Sequence, residues 1–590
     1  QLFVAGTGTS GVASAIHAGQ SGLQVICVDR GLEPGGTQTL GGVTNLWFGN
    51  KSSGFSNFYK DIGAANDDLN ARSFRQAIES RSVDFKPNYA LTGVALSGKH
   101  LKLVFIIGEE GLESISADHF IDATGDGSLA AWAGAPYTFG GELDETTLWG
   151  SFAYFDAGQP EAKRPFLSPL DERSPWDTLR FIRAMRKQRG VSREKTHTPP
   201  PFYVAPRESR HIRGRKRLTY LDVLAGRRFR SSVVRATSNL DIKGIATSEA
   251  ARAGFIPSYW LEEFAVSIPY EACTPPSLCN LFVAGKAYDI EHDALAMARM
   301  QRDLFALGTV AALATAMACQ ENLDYHRVDV AGLQKKMIAL GFLSQDDIAS
   351  DDFGYEKNPD ALAGEIARAR DLDSALAPSA RLCTFGKSKA LAALEPHAGV
   401  DRPGINRLLG FLGDPRGASR VLAEFKEAIG TSDTPLPETL FCSREATPHI
   451  MPDQGYAPWP ALLIGIMSAG KSPELKEALQ SLAEKLKPDA LTFNARWGYV
   501  FALAHGISVC PGSWAAPHLE RILHSECFKN TTANRDEDCL KSSEPLTERH
   551  GYLRLALSRA LLLCDLQAGE AAMVPFLNEW HSAWARGAVN

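Results

Sequence analysis

Leu2-Phe3-Val4-Ala5-Gly6-Thr7-Gly8-Thr9-Ser10-Gly11-Val12-Ala13-Ser14-Ala15-Ile16 decides the fold. Four apolar residues predict a strand ending at Ala5, and the small and apolar run from Gly11 predicts a helix. A G-x-G-x-x-G turn joins them. Gly6 permits the tight turn, Gly8 lets backbone approach a pyrophosphate, and Gly11 lets the helix lie close to the strand. The helix start then offers free N–H groups and a positive dipole end to phosphates. A second strand, Val25-Ile26-Cys27-Val28, ends at Asp29, an acid able to accept hydrogen bonds from adenosine ribose hydroxyls.

Two further motifs extend this reading. Asp122-Ala123-Thr124-Gly125-Asp126-Gly127 follows the strand-like Phe120-Ile121, and Asn280-Leu281-Phe282-Val283-Ala284-Gly285 repeats the strand-to-glycine pattern. After Arg30, the run Gly35-Gly36-Thr37-Gln38-Thr39-Leu40-Gly41-Gly42 is small enough to lie against a long cofactor. NAD-binding domains usually continue there with another βαβ unit. The expected cofactor is FAD. Its expected contacts are Gly6, Gly8, Thr9, Ser10, Gly11, Asp29, Arg30, Gly35, Gly36, Thr37, Thr39, Gly41, Gly42, Ala90, Thr124, Gly125, Asp126, Gly127, Gly285 and Gly308.

Over roughly residues 1 to 318 the chain resembles the FAD-dependent oxidoreductases of the glutathione-reductase-like flavin superfamily. The resemblance rests on Asp122 to Ser128, on Pro206-Arg207-Glu208-Ser209-Arg210-His211-Ile212-Arg213-Gly214 and on Asp222-Val223-Leu224-Ala225-Gly226-Arg227-Arg228-Phe229. It rests further on Ile268-Pro269-Tyr270, Asn280 to Lys286, His292-Asp293-Ala294-Leu295-Ala296-Met297-Ala298-Arg299 and Ala306-Leu307-Gly308. Asp29 stands where such flavoproteins more often carry Glu, and Lys286 where Arg is more usual.

The expected architecture is an α/β Rossmann-like FAD-binding domain with an inserted α+β cap domain, followed by an all-α domain. Residues 1–130 and 279–330 form the FAD-binding domain, and 131–278 the inserted cap or substrate domain. The strand-like Leu148 to Phe155, a helical stretch from Trp176 to Lys187 and the connector Thr198-Pro199-Pro200-Pro201 belong to that insertion. In flavoproteins of this architecture the insertion caps the isoalloxazine. From 331 to 590 apolar residues recur at helical spacing, as in Ala478-Leu479-Leu482-Leu486. Ala461-Leu462-Leu463-Ile464 covers a whole turn and predicts a helix buried on most sides. The turn in Gly410-Phe411-Leu412-Gly413-Asp414-Pro415-Arg416 resembles that of HEAT-like helical repeats; an irregular helical domain is the other reading.

Bulk properties suit a soluble enzyme. The 590 residues carry a net charge of -6, with no broad basic excess to favour nucleic acid. The run Arg213-Gly214-Arg215-Lys216-Arg217 reads as a solvated edge. No uninterrupted apolar window of membrane-spanning length occurs. The ten cysteines are no disulfide scaffold, though Cys273 with Cys279, or Cys527 with Cys539, could be bridged. Asn50-Lys51-Ser52 and Asn530-Thr531-Thr532 are acceptor sequons. Any targeting segment would lie upstream of Gln1, so a cytoplasmic and an exported protein are both open. No metal-ligand spacing or G-x-S-x-G appears.

A flavin exchanges two electrons while the protein supplies position and proton transfer. His292 is the first candidate base, and a histidine that orders the turn or contacts flavin is the alternative. Arg299, seven residues on, could share the site, bind a carboxylate or neutralise reduced flavin. Arg210 and His211 form a second catalytic pair, with a salt bridge to Glu208 as the other reading. The expected activity is hydride transfer between a small polar substrate and FAD. An oxidation–elimination–reduction cycle with no net redox is the runner-up. A third reading is a partner-binding helical array with a structural flavin domain. Polar sugars, hydroxy acids and cyclic alkenes stay open as substrates.

Overall fold

The computed structural model describes residues 1–41, 43, 45–63, 71–143, 145–148, 150–151, 166–167, 206–242, 246–257, 262–431, 433–438, 459–529 and 546–577. Gly42, residues 152–155 of the strand-like run, the Trp176–Lys187 stretch, the 198–201 connector, the Asn530 sequon and Cys539 lie outside the described residues.

The apolar start of the chain becomes the centre of a parallel sheet. Leu2–Ala5 pairs with Val25–Val28 on one side and with His119–Asp122 on the other. Ile26–Asp29 carries Asp84–Pro87, and Phe120–Asp122 carries Leu281–Val283. All four residues of the first strand are fully buried, as strands covered on both faces require. Every glycine motif of the sequence therefore opens at the same edge, the C-terminal ends of neighbouring parallel strands. That edge is where open α/β sheets bind ligands. An antiparallel sheet of Ala90–Ser97, His100–Gly108 and Gly111–Ser116 stands beside it.

Helix Thr9–Gln20 lies along helix Gln301–Glu321. Gly308 sets their spacing: a Cβ there would stand 2.1 Å from the Ser10 carbonyl oxygen. The Ser14 hydroxyl donates to the Gly308 carbonyl at 3.0 Å. By length and composition Gln301–Glu321 could cross a membrane, but its apolar residues are mostly buried in this protein. A helix apolar all round belongs in a core.

Between these motifs, Tyr137–Phe139 pairs with Arg210–Ile212, and Ser232–Asn239 with Glu263–Pro269, both antiparallel. From Val330 onward the described elements are helical. Pro403–Phe411 and Pro415–Ile429 form an antiparallel pair. The chain reverses at Gly413 (φ +76°), and the Asp414 side chain then accepts the Arg416 N–H at 2.9 Å. Ala461 to Ile464 are all buried, as their unbroken apolarity requires. The helical region packs on the middle of the chain. Leu372–Cys383 rests on Tyr220–Ala225, and Trp459–Ala469 on Glu249–Arg252. Gly465 makes room for the Arg252 carbonyl, which a Cβ would approach to 2.0 Å. Cys273 and Cys279 are both free thiols, so the bridge left open between them does not form; Cys527 is free as well.

Candidate FAD site and active site

The glycines of the three motifs do two different things. Gly6 has φ +88°, and a Cβ there would meet the Ala123 carbonyl oxygen at 2.5 Å. A Cβ on Gly11 would lie 1.9 Å from the Gly6 carbonyl oxygen. These two lock the first motif onto the second. Gly8 is the opposite case: a Cβ there meets nothing within 4 Å. It faces open space, at the N-cap of helix Thr9–Gln20, with no side chain capping the helix. Unsatisfied N–H groups and the dipole end therefore face a cavity, a ready site for phosphate.

That cavity has a volume of about 370 Å³ and runs past Gly6, Gly8, Thr9, Ser10, Asp29, Arg30, Thr37, Ala90, Thr124, Gly125, Asp126 and Gly285. These are sequence-expected contacts. Asp122 shapes the second motif from behind. Its carboxylate accepts from the Thr124 hydroxyl at 2.6 Å and the Ala130 N–H at 2.8 Å, while burial pushes its pKa up. Asp29 accepts from the Thr7 N–H at 2.5 Å, the Thr7 hydroxyl at 2.9 Å and the Gly31 N–H at 2.7 Å. It ties the phosphate turn to its own loop as well as lining the cavity.

Other expected contacts line no described cavity. Gly11, Gly127 and Gly308 allow close backbone or side-chain packing, and Gly35, Gly36, Thr39 and Gly41 build the loop that presents Thr37. Their small size is used in packing behind the site. Lys286, Tyr89, Leu91, Ser128 and Trp132 line the cavity and were not singled out from the sequence as contacts. Lys286 was visible as a family position, and Tyr89 and Leu91 only as neighbours of Ala90.

A second chamber, about 160 Å³, shares Thr9, Thr37, Pro206, Lys286 and Leu304 with the first. Its remaining lining includes Asn45, Trp47, Arg207, Asp241, Arg299 and Gln301. The four catalytic candidates separate here. Arg210 lines the first cavity and donates Nη1 to the Asp126 carbonyl at 3.1 Å. Arg299 lines the second chamber and donates Nη2 to Asp241 Oδ2 at 2.9 Å. His211 and His292 line neither described cavity. Both are fully buried around Glu208. Glu208 Oε2 stands 2.7 Å from His292 Nδ1, Oε1 stands 2.7 Å from His211 Nε2, and the Leu148 N–H donates to Oε2 at 2.7 Å. Burial opposes the Glu208 charge, yet His292 and His211 overcome it and hold the carboxyl at about 2. Burial likewise opposes a charged His292, but Glu208 holds its pKa well above the usual imidazole value. A histidine kept protonated inside a sealed pair is poorly placed to take a substrate proton. The geometry is that of a buried structural histidine at position 292, lining no described part of the cofactor cavity, and of the Glu208 salt bridge weighed for His211.

His100, Cys279 and Asp324 bring possible ligand atoms within 4.8 Å of one another, a grouping invisible to local spacing. His100 Nε2 already lies 2.8 Å from Asp324 Oδ1, as a partly exposed pair.

The residues around the first cavity fit FAD: an uncapped helix start, an open glycine cradle, a cation at Lys286 and an acid at the end of the second strand. Residues 1–185 and 171–337 match the family model described as FAD dependent oxidoreductase. No curated protein matches the chain. Similar solved structures include a geranylgeranyl bacteriochlorophyll reductase-like protein from Thermoplasma acidophilum, at 12% identity over 70% of this chain and 98% of that one, TM-score 0.28. The flavin-dependent brominase Bmp2 matches at 12% identity over 67% and 98%, TM-score 0.30. THI4 of Thermovibrio ammonificans matches at 15% identity over 24% of this chain and 63% of that one, TM-score 0.20. The family match alone spans more than half of the chain, and with it this protein belongs to the FAD dependent oxidoreductases and takes FAD as its cofactor.

Proposed function

We propose that the protein transfers a hydride between a small polar organic substrate and FAD, with the substrate in the second chamber. The observation that carries this reading is the continuity of that chamber with the cofactor cavity through Thr9, Thr37, Pro206, Lys286 and Leu304. Bound FAD supplies the two-electron acceptor. The chain supplies the rest. Arg299, fixed by Asp241, orients a polar substrate group, and Trp47, Val43 and Met300 add apolar surface to the chamber wall. Asp241 is the carboxylate lining the chamber among the described residues, so it is the candidate to accept a hydroxyl proton. Lys286 and Arg210 belong to the cofactor cavity and carry positive charge toward its anionic occupant. The Glu208–His292–His211 cluster holds the wall behind them.

Anaerobic mixing of the FAD-loaded protein with hydroxy compounds tests the reading. Loss of the oxidised flavin absorbance with a matching carbonyl product supports it. A fully loaded protein that no such compound reduces, and whose reduced form no such carbonyl product reoxidises, refutes it.

A further inference from the structure

The second chamber holds more positive than negative charge. Arg207, Arg299 and Lys286 line it, and Asp241 is the one acid on its wall among the described residues. Lys286 is shared with the cofactor cavity and donates to the Pro206 carbonyl. Arg299 spends Nη2 on Asp241, at 3.0 Å to its carbonyl and 2.9 Å to its carboxylate. Its Nε is buried without a hydrogen-bond partner among the described residues. Arg207 lines the same wall. Burial first, and then the nearby Arg299 charge, push its pKa down to about 9, with Asp241 pulling the other way. With Arg299 and Lys286, Arg207 puts three cationic side chains on a wall where Asp241 is the one acid among the described residues. A planar guanidinium fork matches a carboxylate in shape and charge.

Resting on the hydride-transfer reading above, we infer that the second chamber is a carboxylate subsite and that the substrate is an organic acid held by Arg207 and Arg299. Of the polar substrate classes, this selects a hydroxy acid. Its carbinol C–H bond breaks with both electrons passing to FAD as hydride. The hydroxyl proton leaves to a base, and the carbinol becomes a carbonyl, giving an oxo acid. Arg207 and Arg299 touch the carboxylate and take no part in the proton balance. Asp241 competes with the substrate for Arg299, which sets the direction of one variant's effect.

The experiment titrates FAD-loaded protein with acetate, oxalate and benzoate, each against its neutral amide, and reads the flavin difference spectrum. At least one acid is expected to saturate, with its amide weaker by about tenfold or more, since hydrogen bonds between charged groups carry that much. Arg207→Gln is expected to weaken the acid by about tenfold or more at full FAD content. Asp241→Asn is expected to tighten it, and this gain keeps the proposal testable even if the arginine variant folds poorly. A yellow protein that binds no acid, or that binds acids and amides alike, overturns the subsite and leaves FAD binding standing. Protein that takes up no FAD fails the underlying reading instead. If the arginines serve reduced flavin alone, Arg207→Gln lowers the flavin midpoint potential while wild type binds no acid, and the proposal falls.

Discussion

Arg210 and His211 are neighbours in sequence with opposite surroundings. Arg210 lines the cofactor cavity, while His211 is sealed against Glu208 and His292. They belong to one short strand, Arg210–Ile212, and successive side chains of a strand point to opposite faces. Just ahead of that strand, Arg207 on the chamber wall and Glu208 inside differ in the same way. Of these four residues, two side chains meet ligand space and two meet the core. A charged motif read as a unit thus contains two machines, one holding ligand charge and one holding the fold.

The largest test of that split is Glu208→Gln. Removing one partner of a buried pair leaves an uncompensated charge, at a cost of about 3–5 kcal/mol. Chemical denaturation should show that loss. His292→Ala should behave similarly, losing stability rather than slowing flavin reduction at full FAD occupancy. A stable His292→Ala protein whose only defect is slow, pH-dependent flavin reduction would return the base role to His292 and dissolve the comparison.

Glycines sharpen the same contrast on the cofactor side. Gly11→Ala puts a methyl 1.9 Å from a backbone oxygen, so folding should suffer before binding does. Gly8→Val has open space around its Cβ and should fold normally. Its side chain fills the phosphate cradle instead, and FAD content should fall to near zero. Purification followed by absorbance at the flavin bands, beside a thermal melt, separates the two outcomes. Full occupancy in Gly8→Val would remove the phosphate from this turn.

The sheet was legible because four-residue apolar runs before glycines have few other uses, and all three motifs do open on one edge. The contact set was only partly legible. A glycine that makes room for a ligand and one that makes room for a backbone look identical in a string of letters, which is why Gly8 and Gly308 were grouped together. Arg299 with Asp241 and His292 with Glu208 are long-range pairs that no spacing rule reaches. The face of Arg210 against His211 was hidden because the segment is too short to display its own alternation.

The sealed cluster also predicts a pH signature. Glu208 is held near 2 in the fold against 4.5 for a free glutamate, so its stabilisation is complete above about 4.5 and drains away as pH falls toward 2. His292 is held well above 6.5, so its stabilisation is complete below about 6.5 and declines as pH rises toward its folded value. The pair should therefore contribute most between about 4.5 and 6.5. Unfolding free energies of wild type minus Glu208→Gln, followed across pH, should trace that plateau with both flanks falling. A difference that keeps rising above 6.5 would show that the pair is not charged as described.

The smallest expected effect belongs to Asp29, where the two roles meet in one side chain. Its carboxylate fixes Thr7 and Gly31 through three hydrogen bonds and also lines the cavity. Asn has one acceptor oxygen, and its amide nitrogen would face a donor, so at least one of these charge-assisted bonds is lost. Such a bond is worth about 1.5–3 kcal/mol, part of which falls on FAD through the loosened phosphate turn. FAD affinity of Asp29→Asn should drop by about tenfold, with the fold intact. FMN, which lacks the adenosine, distinguishes the roles. If Asp29 acts through the turn, FMN binding weakens alongside FAD; if it acts only on the ribose, FMN binding stays unchanged. The three bonds to Thr7 and Gly31 favour the first outcome, and an unchanged FMN affinity would assign Asp29 to the ligand face alone.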